Sequence, residues 1–100
     1  MTMVTAILRP RPGRADDLAA ALLDVAECTR AEAGVVAYAI GRRANGSFVV
    51  AEQYVNQDAC DAHFAAPYVT DLLARFPELV DGEPEVEFAA TVTSFAAAAG

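Results

Sequence analysis

Polar and apolar positions change period along the chain in a way that marks its elements. Residues 2–9 alternate Val4, Ala6 and Leu8 against Met3, Thr5 and Ile7, which is the two-residue period of a strand. Pro10, Pro12 and Gly13 break it. From Arg14 to Ala33 the period lengthens. Leu18, Leu22, Val25 and Thr29 fall four, three and four apart and form one helical stripe. Asp16 and Asp17 stand in the first turn, where acids oppose the helix dipole. Gly34 is placed to end the helix in a left-handed conformation.

Val35–Ala44 and Ser47–Val55 read as a second and a third strand. Asn45-Gly46 between them predicts a hairpin, with both turn residues at positive φ. Asn56 or Asp58 can cap a helix that runs to about Ala66, and Pro67 either kinks it or starts a new turn. Val69, Leu72, Leu73 and Phe76 make a second stripe, which Pro77 closes. Glu78–Glu83 reads as a loop. Pro84–Phe95 reads as a last strand with Val86, Phe88, Ala90 and Val92 on one face. The tail 96–100 has little to bury and is expected to fray.

The order strand–helix–strand–strand–helix–strand predicts an α+β ferredoxin-like split βαβ sandwich spanning residues 1–95 as one domain. Its single four-stranded antiparallel sheet carries the helices on one face. The other face should then be polar. Instead both sets of positions in the second strand are apolar, Val35, Ala37 and Ala39 against Val36, Tyr38 and Ile40. In the third, Phe48 and Val50 oppose Val49, Ala51 and Val55. Leaving such surface wet would forfeit several kcal/mol at ~25 cal/mol per Å². The pattern therefore predicts a two-fold homodimer through the bare sheet face.

Composition narrows the partners. The 100 residues carry a net charge of −7 with 55% hydrophobic positions. Lysine is absent, and the arginines cluster only as Arg9, Arg11, Arg14 and as Arg42, Arg43. Neither nucleic acid nor an anionic membrane is expected as a partner, because both need grouped cations. No apolar run approaches the ~18 residues of a membrane span. The N-terminus has no signal-peptide pattern, so a cytoplasmic protein is expected. Cys28 and Cys60 lack ligand spacing, and there is one histidine. No metal site is expected, and both thiols read as buried and free.

Two residues stand out as candidate chemistry: Glu52, an acid inside an apolar strand, and His63 on the helix that follows. A buried carboxylate needs a partner or takes up a proton. An arginine or the His63 ring can supply one. His63 titrates near neutrality and can act as a general base, or it can simply bond a backbone carbonyl or Glu52 and fix the helix. Tyr38, Tyr54, Phe64, Tyr68 and Phe76 can line an aromatic pocket or form core. Tyr68, at the helix break, is the one most suited to face a cleft.

Several stretches together resemble one family. They are the Arg-Pro-Arg-Pro-Gly turn at 9–13, Glu32-Ala-Gly-Val-Val-Ala-Tyr38, Glu52-Gln53-Tyr54, Ala62-His63 and Ala65-Ala66-Pro67-Tyr68. In this order they resemble the antibiotic biosynthesis monooxygenase domain over about Met3–Phe95, with Tyr54 where many members carry tryptophan. The resemblance implies a ferredoxin-like dimer of the dimeric α/β-barrel type. It further implies a cofactor-independent monooxygenase acting on a small quinol, anthrone or polycyclic phenol with molecular oxygen, the substrate supplying the electrons. Catalytic roles would fall to His63 and Glu52, and substrate contacts to Tyr38, Tyr54, Phe64, Tyr68 and Phe76. A heme-degrading branch of the family is characterised by residues that align with Ala6, His63 and Leu73. All three differ here from the heme pattern, so heme degradation is not expected. A non-catalytic dimeric ligand-binding module and a proton-transfer isomerase on the same scaffold are the alternatives.

Overall fold

The computed structural model describes residues 1–97. Its elements are β1 (Thr2–Leu8), α1 (Ala15–Thr29), β2 (Val35–Arg42), β3 (Phe48–Tyr54), α2 (Gln57–Ala65), α3 (Pro67–Leu79) and β4 (Glu85–Ala90). The strands form one antiparallel sheet in the order β2-β3-β1-β4, the ferredoxin-like arrangement with three helical segments. Alternation places Val4, Ala6 and Leu8 beside Phe48, Val50, Glu52 and Tyr54 on the helix-covered face. There they meet Leu18, Leu22 and Val25 of α1 and Val69, Leu72 and Leu79 of α3. Full burial of such side chains contributes about 1.5–3 kcal/mol each.

A bulge between Val35 and Ala37 rearranges the faces of β2. One extra residue sits at the bulge, so Val35 pairs with Tyr54 and joins the cluster around Val4, Tyr54 and Cys60. Tyr38 and Ile40 also turn toward the helices, and Val36 is left exposed. The opposite sheet face is therefore built mostly of small residues, Ala37, Ala39, Gly41, Ala51 and Ala89, around Met3, Ile7 and Val49. Part of it is polar: Glu85 and Glu87 lie on the β4 edge, and Thr5 and Gln53 on the central strands.

Several local expectations change. The hairpin is a three-residue loop, Ala44–Gly46, closed by Gly46 N–H to Arg43 O at 2.9 Å and Arg43 N–H to Ser47 O at 2.8 Å. Only Gly46 has positive φ, at 90°. Asn45 instead accepts from the Ser47 N–H and hydroxyl, a local bond that its short amide can make without a left-handed backbone. Pro77 does not close the second stripe. It sits in the last turns of α3, which continues to Leu79 and brings Leu79 and Val80 into the core. Pro67 opens α3 at its first turn, after Ala66 leaves α2 extended. β4 stops at Ala90, and Val92 and Phe95 beyond it are 96% and 93% exposed. Cys60 is buried as expected, whereas Cys28 is exposed. The tail at 96–100 lies partly outside the described residues. Among those described, no helix is long and apolar enough to cross a membrane.

Gly34 has a different role from the one its position suggests. α1 ends at Thr29, and Arg30 keeps right-handed geometry. Turn bonds from Ala31 N–H to Cys28 O and from Glu32 N–H to Thr29 O then carry the chain toward β2. Gly34 is not among the glycines at positive φ. A Cβ there would stand 2.4 Å from Ala59 Cβ on α2. The glycine is needed because the turn and α2 touch backbone to side chain, and that contact holds residues 30–34 against α2. We predict that Gly34→Ala destabilises the fold by about 1–3 kcal/mol, the range for overpacking. Ala59→Gly in the same chain should recover part of the loss, against about 1 kcal/mol for glycine in a helix. Denaturant unfolding of the two variants checks both numbers.

Candidate functional site

The site begins with a register. Glu52 in β3 lies opposite Val4 of β1 and Tyr38 of β2, so its carboxylate points into the helix-covered face. It is 6% exposed. Tyr54, two residues on and on the same face, donates its hydroxyl to Glu52 Oε1. His63 comes from α2, whose start is fixed by the Asn56 side chain accepting the Ala59 N–H at 2.8 Å. Its ring is buried between Tyr38, Tyr54 and Phe64, with centroids 5.9, 5.4 and 5.2 Å away.

The imidazole has an acid on either side. His63 Nε2 is 3.5 Å from Glu52 Oε1, and Nδ1 is 2.9 Å from Glu32 Oε2. Tyr68 donates its hydroxyl to the same Glu32 oxygen. One ring therefore joins the turn before β2, the middle of β3 and α2. Of the two partners expected for Glu52, an arginine or the His63 ring, the ring is present and no arginine among the described residues is; the Tyr54 phenol is a partner outside that expectation. In the sequence Glu32 opens the Glu32–Tyr38 stretch and carries no role of its own. The close approach of Gly34 to Ala59, which no periodicity reveals, lies two residues from it.

Burial raises the Glu52 carboxyl above its ordinary 4.5; the Tyr54 hydrogen bond and the His63 charge pull the other way. The Tyr38 and Tyr54 phenols are pushed up, first by burial and then by nearby Glu52, so both remain donors. Tyr68 is pushed up to about 12 by burial and by its bond to Glu32. His63 Nε2 and Glu52 Oε1 face one another at 3.5 Å, longer than an ordinary hydrogen bond, at the edge of an apolar space.

That space lies between helices and sheet. It is narrow, a cavity of about 60 Å³, and opens to solvent at its mouth. Val50, Leu72, Phe76 and Val86 form its walls, and Tyr38, Glu52 and His63 its polar end. The Tyr38 hydroxyl has no hydrogen-bond partner among the described residues. Leu73, Val86 and Phe88 are 43%, 44% and 59% exposed, so the β4 side is only partly covered, with Phe88 packed on Phe64 of α2, ring centroids 5.7 Å apart. Of the five aromatic residues singled out above, Tyr38, Phe64 and Phe76 line the cavity. Tyr54 is fully buried behind Glu52, and Tyr68 stands outside against Glu32. Those two act on the site through the carboxylates that their hydroxyls hold.

Comparison with known proteins agrees with this architecture. The family described as antibiotic biosynthesis monooxygenase matches residues 1–75. The chain therefore belongs to the antibiotic biosynthesis monooxygenase family. Rv0793 from Mycobacterium tuberculosis is similar at 29% identity, covering 95% of this chain and 98% of that one, with a TM-score of 0.89. A protein from Caulobacter crescentus, named as a candidate antibiotic biosynthesis monooxygenase, is 26% identical over 92% of this chain and 90% of its own, at a TM-score of 0.85. A further antibiotic biosynthesis monooxygenase, 24% identical over 93% of this chain and 100% of its own, shares the fold at a TM-score of 0.84. Among curated proteins nothing matches.

The raised carboxyl has a thermodynamic signature. A group whose folded pKa lies above its unfolded value stabilises the fold below the unfolded value, and that contribution disappears as pH rises through the folded one. Glu52→Gln keeps an oxygen for the Tyr54 hydroxyl and cannot ionise. Its stability relative to the native chain should therefore improve steadily as pH rises from about 4.5. Unfolding at a series of pH values checks this; a difference that stays flat or falls contradicts the buried acid.

Proposed function

We propose that the chain is a monooxygenase of small, flat, electron-rich phenols such as quinols or anthrones. The observation that carries this reading is an apolar cavity whose one polar end is the Glu52–His63 pair beside the donor Tyr38. The reaction inserts one oxygen atom of O₂ at an activated C–H position, and the second leaves as water. For an anthrone the ring CH₂ becomes C=O, and its two hydrogens complete the water. The electrons come from the substrate, so the protein must bind it, take a proton and exclude solvent.

The charges specify the form that enters. Two acids flank the imidazole and no arginine among the described residues does, so an incoming anion finds no cation to pair with. The substrate binds as the neutral phenol or ketone and surrenders its proton inside. Tyr38 donates to the oxygen on which negative charge develops. A fused ring exceeds the space present, so Leu73 and Phe64 at the mouth must turn aside on entry. Oxygen consumption with a panel of quinols and anthrones tests the reading. His63→Ala should lower the rate by about 10² or more, the usual share of a general base. Tight binding without oxygen uptake would instead support a ligand-binding module, and ring-proton exchange alone an isomerase.

The assembly we propose is a homodimer through the open sheet face. Ala39 pairs with Ala51, and Ala51 with Thr5, across its middle. Such small side chains allow a second sheet to approach closely. Sedimentation of the native chain should give twice the monomer mass. Ala51→Glu, which puts a charge at the centre of that face, should shift it to one chain. A native chain that is monomeric at micromolar concentration contradicts the proposal.

A further inference from the structure

The geometry points to Glu32 as the positioning residue of the site, the group that decides which nitrogen of His63 faces the cavity pair. This rests on the proposed use of His63 as a base and adds a residue to it. A neutral imidazole carries one N–H, and the nitrogen left bare is the one that accepts. In water the proton may sit on either nitrogen, so a base in a dry site needs a partner that fixes it. Glu32 Oε2 is 2.9 Å from Nδ1, whereas Glu52 Oε1 is 3.5 Å from Nε2. The shorter contact claims the N–H. Nδ1–H then donates to Glu32, and the Nε2 lone pair turns to Glu52 and the cavity.

The groups facing the ring from every side agree with this. Tyr54 satisfies Glu52 with its hydroxyl, so Glu52 does not need Nε2–H as a donor. Tyr68 donates to Glu32 and holds its oxygen at the ring. Tyr38 and Phe64 pack on the imidazole without a hydrogen bond to it. Glu32 is also the more exposed acid, with 19% of its side chain accessible against 5% for Glu52. Its carboxyl is therefore less desolvated than that of the interior acid. When Nε2 takes the substrate proton, the imidazolium so formed lies against the Glu32 carboxyl. The proton then returns to the departing oxygen as water forms, and the ring is restored with Nδ1–H still bonded to Glu32.

The chain holds a single histidine, so ¹⁵N labelling of histidine reports this ring alone. In the native protein Nδ1 should carry a proton at every pH at which the fold persists, and only Nε2 should lose one. In Glu32→Ala the neutral ring should switch to the Nε2–H form, donating to Glu52, while Glu32→Asp should keep part of the native signal. If turnover is found, Glu32→Ala should lower kcat about 10-fold or more with KM little changed, the size expected of an orienting partner. A native ring with a bare Nδ1 overturns the assignment, even should the variants fail to fold. So does a Glu32→Ala chain that loses stability while its ring nitrogens keep the native pattern, since that is what a merely structural acid would do. None of the nitrogen measurements depends on catalysis, so a chain without oxygenase activity can still pass them.

Discussion

One imidazole held between two carboxylates is the constraint on which the rest of the site depends. Glu32 and Glu52 are brought to opposite edges of the ring by unrelated pieces of chain, a turn and a sheet register. Burying acids is costly unless each finds a partner. Here Tyr54 and Tyr68 add a hydroxyl to each acid. Among the described residues no fully buried side-chain nitrogen or oxygen lacks a partner. The cluster thus resolves its own desolvation at the wall of an apolar space.

The fold provides this at the helix–sheet boundary. β3 is central in the sheet, paired on both sides, so Glu52 is placed with little freedom. α2 is short and is seated by the Asn56 cap and by the Gly34–Ala59 contact. α3, starting at Pro67, swings away from α2 and opens room between Phe64 and Phe76. β4, exposed at every residue, forms the far wall, so that side of the space is the more open.

The strands, the helical stripes and their order were legible in the chain because burial on one face leaves a two-residue or a 3.6-residue period. Glu52 and His63 were legible for the opposite reason: each interrupts an apolar pattern. What the pattern concealed depends on contacts between distant residues. The bulge at Val36 reassigned Val35. Gly34 proved to be a point of close approach where local rules suggest a cap. Leu79 and Val80 were hidden behind Pro77, because a proline near the end of a helix costs one N–H bond without stopping the turn, which goes on to Val80 N–H on Phe76 O at 2.8 Å. Glu32 had no signal of its own. Tyr54 and Tyr68 were visible as aromatics, and their hydroxyl roles became apparent only when the acids they serve were placed.

The central claim is that the space between helices and sheet, with His63 at its end, is where a ligand is held. A crystal structure with a fused-ring dihydroxyquinone, a product-like molecule that cannot be oxidised further, tests this most directly. The account predicts the ring between Phe76 and Val86, with an oxygen within hydrogen-bonding distance of Tyr38 or His63 and with Leu73 turned outward. A molecule bound on the open sheet face, over a closed cavity and an unmoved Leu73, would contradict it.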